Sequence, residues 1–209
     1  MAAVASRTVS TLTSILRDGR VLSYRHDTRV DVRAGRYEFD CSGMIDWVLA
    51  QSAPVARRES RARTHGARPL AADYARLFLA TSSQPRRTNP RGWARVERVQ
   101  DAMPGDVLAW IRPRIVQSNN TGHVVFVMAP PEAIPGEPDA WLVRIADSSR
   151  YTHQDDTREG LGRTGLGVGT LLVIADPVTG APRAYGWFGA RTPREWVLQT
   201  QIAIARPVR

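Results

Sequence analysis

Between Asp106 and Ala205 the chain carries six short runs of apolar, β-branched or aromatic residues: DVLAWI (106–111), HVVFVMA (123–129), WLVRIAD (141–147), TLLVIAD (170–176), AYGWF (184–188) and VLQTQIAIA (197–205). Segments rich in turn-forming residues, such as RPRIVQSNNTG, PPEAIPGEPDA and PVTGAPR, lie between them. Runs of this length with such boundaries read as strands. Short connections between successive strands favour antiparallel pairing.

The first half reads differently. Val9, Leu12, Ile15 and Leu16 fall near one face of a helix over 5–17, with Gly19 as its stop. Met44, Ile45, Val48 and Leu49 give one apolar stripe to a helix over 41–52, closed by Pro54. A third short helix, over 70–80, places Leu70, Tyr74, Leu77 and Phe78 on one side. Residues 20–37 read as irregular or extended chain, and 81–93 as loop. Helices first and strands later argue an α+β fold. The 209 residues are expected to form a single domain, with 53–103 a helical and loop insertion and 154–209 a set of C-terminal strands extending the sheet. No internal repeat or low-complexity tract is present.

Composition narrows the chemistry. There is no lysine among the 29 basic residues, which excludes lysine nucleophiles, Schiff bases and a P-loop lysine. A net charge of +9 draws the chain toward polyanions, although the arginines are spread along it rather than gathered in one tract. No RNP-like aromatic motif, zinc spacing or helix-turn-helix accompanies the charge, so no specific nucleic-acid partner is expected. One cysteine and four scattered histidines give no metal-ligand spacing, and no metal or cofactor is expected. No apolar stretch reaches the roughly 18 residues of a membrane span, so membrane insertion is not expected. The opening residues have neither a basic n-region nor a continuous apolar h-region and do not read as a secretory signal; compartment and oligomeric state stay open.

The one cysteine, Cys41, opens the second helix in FDCSGMIDWVL. A thiol in the first turn of a helix sits at the positive end of the macrodipole, which favours thiolate. Gly43 leaves room for a substrate backbone, and the N–H groups of the first turn can hold an oxyanion. The alternative reading is a small buried structural hydrophobe. A nucleophile needs a base, and the base an orienting group. His26 and His65 lie in arginine-rich loops and read as surface residues. His123 opens a strand directly after Gly122, and Asp147 ends the next one. If those two strands form a hairpin, the start of one lies beside the end of the other, and His123 and Asp147 become neighbours. His153, six residues further on, is the fallback for the third position.

FDCSGMIDWVL, MPGDVLAW, TGHVVFVM and VRIADSS occur in that order. This series resembles the NlpC/P60 family of cysteine peptidases and amidases, within the papain-like superfamily, over about residues 20–150. The resemblance implies a papain-like core with the catalytic cysteine at the N-terminus of a helix packed on an antiparallel β-sheet. It implies Cys41 as nucleophile, His123 as base and Asp147 as the orienting residue. Asp40 and Ser42 match positions that line the amine end of the substrate, with Tyr24, or second Tyr37, contributing to that pocket. The Gly-Gly segment usual after this tyrosine is missing in YRHDTRV. The implied reaction is amide hydrolysis through a thioacyl intermediate, most simply on a peptidoglycan-derived stem peptide. Two other functions stay open: acyl transfer or amide hydrolysis on a substrate outside the cell wall, and a non-catalytic basic binding module on the same fold.

Overall fold

The computed structural model describes residues 2–64, 66–82 and 92–208. Helix α1 (Ala2–Asp18) is followed by three short strands, β1 (Val21–Ser23), β2 (Arg29–Asp31) and β3 (Arg36–Glu38). Helices α2 (Cys41–Ser52), α3 (Pro54–Ala62) and α4 (Ala71–Ala80) come next. Strands β4 (Trp93–Val96), β5 (Val107–Ile111), β6 (Gly122–Val127), β7 (Glu132–Ile134), β8 (Glu137–Ser149), β9 (Gly165–Ala175), β10 (Pro182–Gly186), β11 (Leu198–Gln199) and β12 (Ile202–Pro207) complete the order. The fold is α+β, with helices against one large sheet. Every neighbouring pair of strands in that sheet is antiparallel. Among the described residues no helix is long and apolar enough to cross a membrane.

The sheet runs β11-β10-β9-β8-β6-β5-β12-β4, with β7 paired to the outer part of β8. The β11 end is joined back to β12, because only Thr200 and Gln201 separate the two strands, and β4 lies outside this closure on β12. The Thr200 N–H donates to the Arg183 carbonyl at 3.2 Å, and the Ile111 N–H to the Gln201 carbonyl at 2.9 Å. The segment 198–207 therefore pairs with β10 first and β5 next, and six strand positions close into a ring. Closure removes the free edges of those strands. The alternation of a strand then sorts side chains into two cores. Leu108, Trp110, Val125, Val127, Val143, Ile145, Leu171, Val173, Ile202 and Ile204 fill the inside of the ring. Val107, Ala109, Val124, Phe126, Ala146, Ala203 and Ala205 face the helices.

Helix α2 is the centre of the helical layer. Met44, Ile45, Val48 and Leu49 are fully buried against α1, β6 and β8. Helix α1 presents Val4, Thr8, Leu12 and Ile15 to it, and the Thr8 hydroxyl donates to Ser52 Oγ at 2.9 Å, so the stripe spends no unpaired polar atom.

Four expectations need correction or refinement. The 53–103 region is not merely inserted: α4 buries Tyr74, Ala75 and Phe78 against β5, β6 and β12, and β4 pairs with β12. A ten-residue amphipathic helix shows that it has a buried face but not what covers it, which is why its place was not legible. Residues 154–209 do more than extend the sheet. Strands β9 to β11 do so on one side, whereas β12 lies between β5 and β4. The run 197–205 is not one strand, since the chain changes partner at Thr200–Gln201. Residues 20–37, read as irregular or extended chain, contribute with Glu38 a small sheet of order β1-β3-β2, with β1 parallel to β3. Most of the expected 81–93 loop and His65 lie outside the described residues.

Candidate functional site

The small sheet leads straight into the cysteine. The Phe39 N–H donates to the Ser23 carbonyl at 3.2 Å, and the Ser148 hydroxyl on β8 donates to the Phe39 carbonyl at 2.6 Å. Asp40 then caps α2: its extended backbone (φ −82°, ψ −178°) directs the carboxylate back, and Oδ1 accepts the Gly43 N–H at 2.7 Å. Cys41 is the first helical residue, 7% exposed.

His123 and Asp147 come from adjacent strands. In the β6–β8 ladder Phe126 faces Ala146. Carried down the strands, that register sets Asp147 opposite Val125 and His123 one pair further on the same face. The two side chains meet diagonally, inside the mouth of the ring. His123 Nε2 lies 2.7 Å from Asp147 Oδ2. Burial disfavours the charged His123 ring, yet Cys41, first by its charge, and Asp147 outweigh it and raise the imidazole to about 10. The structure therefore brings Cys41, His123 and Asp147 together. Nε2 is committed to Asp147, so Nδ1 is the nitrogen left for the thiol.

Asp147 is fully buried and has three partners. Besides His123, His153 Nε2 lies 3.0 Å from Oδ2, and Arg158 Nη2 donates to Oδ1 at 2.9 Å. Burial alone would favour the neutral acid; the nearby His153 and His123 override it and push the carboxyl well below its usual range. Arg158 also grips Asp156 through Nε at 2.8 Å and Nη2 at 2.7 Å. Gly167 and Gly169 on β9 make the room. A Cβ at Gly167 would stand 2.2 Å from Arg158 Nε, and one at Gly169 would stand 2.6 Å from His153 Cβ. Trp187 covers the group, its ring centroid 4.1 Å from that of His153 and 5.1 Å from that of His123.

The cleft beside this mouth measures about 1040 Å³, and Tyr24, His26, Trp110, His123, Arg150 and Trp187 are among its walls. Cys41 is buried next to two of these walls and bears electrostatically on both Tyr24 and His123. Burial first, then Cys41 and Asp40, push the Tyr24 hydroxyl up to about 12 against the pull of Arg150 and Arg68. Tyr37, the second choice for that pocket, is instead in the helical core, edge-on to Trp47 at 5.6 Å. Asp40 and Ser42 are also buried and do not line the cleft. Arg68 ties them down: Nη2 donates to Asp40 Oδ2 at 2.6 Å and Nη1 to Ser42 Oγ. His26 stands on the rim with an exposed side chain, its Nδ1 3.5 Å from Asp40 Oδ2.

Sequence reasoning missed Arg68, Arg158 and Trp187. Arg68 is one of many arginines in its segment, and Trp187 was read as the body of a strand that ends at Gly186. The signal for Arg158 was present but indirect: GLGVG directly precedes the TLLVIAD run, and glycines that turn out to lie within the strand mark a close approach by something bulky.

His123, Asp147 and His153 are, among the described residues, the one group close enough to offer three ligand atoms to an ion. They do not fit a resident metal. Oδ2 of Asp147 is already shared by two ring nitrogens, and the Arg158 guanidinium on Oδ1 opposes a second cation. No family model, no curated protein and no solved structure matches this chain.

Proposed function

We propose that the protein is a cysteine hydrolase of the NlpC/P60 type, with a papain-like core, that cleaves an amide bond through a thioacyl intermediate. The observation that carries this reading is the single histidine ring shared between Asp147, at 2.7 Å, and the neighbourhood of Cys41, on the wall of a cleft. His123 takes the thiol proton and Cys41 attacks the carbonyl. The cap uses the Gly43 N–H and the helix uses the Met44 N–H, which donates to the Asp40 carbonyl at 2.9 Å. The amides of Cys41 and Ser42, which have no partner one turn back, are then the donors for the oxyanion. His123 returns its proton to the leaving amine, and water releases the acyl group. A peptidoglycan stem peptide remains the substrate class of choice. Its carboxylates suit Arg112, Arg150 and Arg163 on the cleft walls, rather than the α3 arginines, of which Arg57 and Arg61 are spent on Asp46.

The test is alkylation of Cys41 as a function of pH, read by whole-protein mass because the chain has one thiol. Reaction well below pH 8 in the wild type, slowed in His123→Ala, is the expected result, followed by turnover of stem peptides. A thiol that is inert in the folded protein, or that reacts alike in both proteins, would sink the reading.

A further inference from the structure

The mechanism uses one of the two histidines on Asp147. The other, His153, is fully buried, and both of its ring nitrogens face oxygens that can only accept. Nδ1 lies 3.0 Å from the Trp187 backbone carbonyl, and Nε2 lies 3.0 Å from Asp147 Oδ2. A neutral imidazole has one N–H and one lone pair. In either tautomer one of these contacts would set a lone pair against an oxygen in a site without water-facing surface, at the cost of an unsatisfied buried group. Only the doubly protonated ring satisfies both.

The charged groups around the ring do not oppose this. The groups facing His153 are Asp147 from β8, Asp156 and Arg158 from its own loop, and His123 through Asp147. β9 contributes Gly169, and residues 187–189 contribute the uncharged Trp187 ring. The Asp156 carboxylate accepts the His153 backbone N–H at 2.9 Å. Two carboxylates and one guanidinium leave a buried charge of minus one, which the His123 and His153 rings that meet on Asp147 Oδ2 share.

We propose that His153 is a doubly protonated positioning residue: an imidazolium that donates to the Trp187 carbonyl and to Asp147 and pins Asp147 in the orientation His123 needs. The protonation state of His153 stands on hydrogen-bond chemistry alone. Its consequence for Cys41 rests on the hydrolase reading.

The experiment is ring-nitrogen NMR on the full chain, wild type and Cys41→Ala, between pH 6 and 8. Signals are assigned by replacing each of the four histidines in turn. The expected result is that both nitrogens of His153 appear as N–H in both proteins throughout. A bare ring nitrogen on His153 at any pH in that range would overturn the proposal, whatever the thiol does. The positioning role is read in His153→Gln through the pH profile of Cys41 alkylation. Loss of a like charge near His123 should move the alkaline limb to higher pH, on the order of one unit. A lower rate with an unshifted limb would mean that His153 is only structural and would overturn the role.

Discussion

Asp106 and Asp147 are two aspartates of the ring, buried to 1% and 0% exposure, and their surroundings push them in opposite directions. Asp106, in the PGD turn before β5, is raised: burial outweighs the two bonds from Arg206, each 2.8 Å, and the Met103 N–H at 2.8 Å. Asp147 is lowered although it is buried as deeply, because two imidazole rings converge on one oxygen while Arg158 holds the other. Equal burial does not fix the charge of an acid; the balance between burial and the charged donors around it does. Asp106 ties the end of β12 to the turn before β5 through Arg206. Asp147 sits at the mouth of the ring, with His123 between it and Cys41.

Paired substitutions can break that contrast. The largest effect expected is on reactivity. Asp147→Asn should slow Cys41 alkylation at pH 6 by about a hundredfold or more, the scale on which a correctly held base contributes. Asp106→Asn should leave that rate within a factor of about two, because it touches neither His123 nor Cys41. Equal losses in both proteins would show that the distinction is false.

Stability comes next. Asp147→Asn leaves Arg158 and His153 facing a neutral amide in a buried site, at a cost of about 3–5 kcal/mol in urea unfolding. Asp106→Asn should cost about 1–3 kcal/mol, since Arg206 is partly exposed and can turn to water.

The pH dependence of unfolding separates the two by sign. Asp147 is lowered in the fold, so its stabilisation is present above the ordinary aspartate range and is lost as pH falls below about 4. Asp106 is raised, so protonation favours the folded state there, and acidification through its raised range gives stability back. Urea midpoints measured from pH 3 to 6 should therefore fall less steeply in Asp147→Asn than in wild type, and more steeply in Asp106→Asn.

The smallest effect sharpens the geometry. Gly167→Ala places a methyl where Arg158 Nε now lies, and should cost about 1–3 kcal/mol with a modest drop in Cys41 reactivity. The same change at Gly136, where a Cβ meets nothing within 4 Å, should cost no packing energy, only the strain of its φ of +82°.

Much of this was legible in the chain. The α2 stripe Met44, Ile45, Val48 and Leu49, the α4 stripe and the apolar runs after Asp106 follow from 3.6- and 2-residue periods, because local backbone geometry fixes which side chains share a face. The approach of His123 to Asp147 followed from antiparallel pairing of two named runs. The closure of the ring did not follow. Nothing in LQTQIAIA says that its first residues pair with β10 and its later ones with β5. Nor do Arg158 and His153 carry a periodic signal, since they reach the mouth from a loop.

The sequence by itself determined the α+β class, the helix that Cys41 opens and the strands that carry His123 and Asp147, because these depend on neighbours a few residues apart. Only the tertiary structure decided that Asp40 and Ser42 are sealed under Arg68, that 198–207 closes the ring, and that Asp147 is held by His153 and Arg158. Those contacts join residues far apart in the chain, or side chains whose direction is set by packing. Their charge and hydrogen bonding are fixed only when burial removes water as the alternative partner.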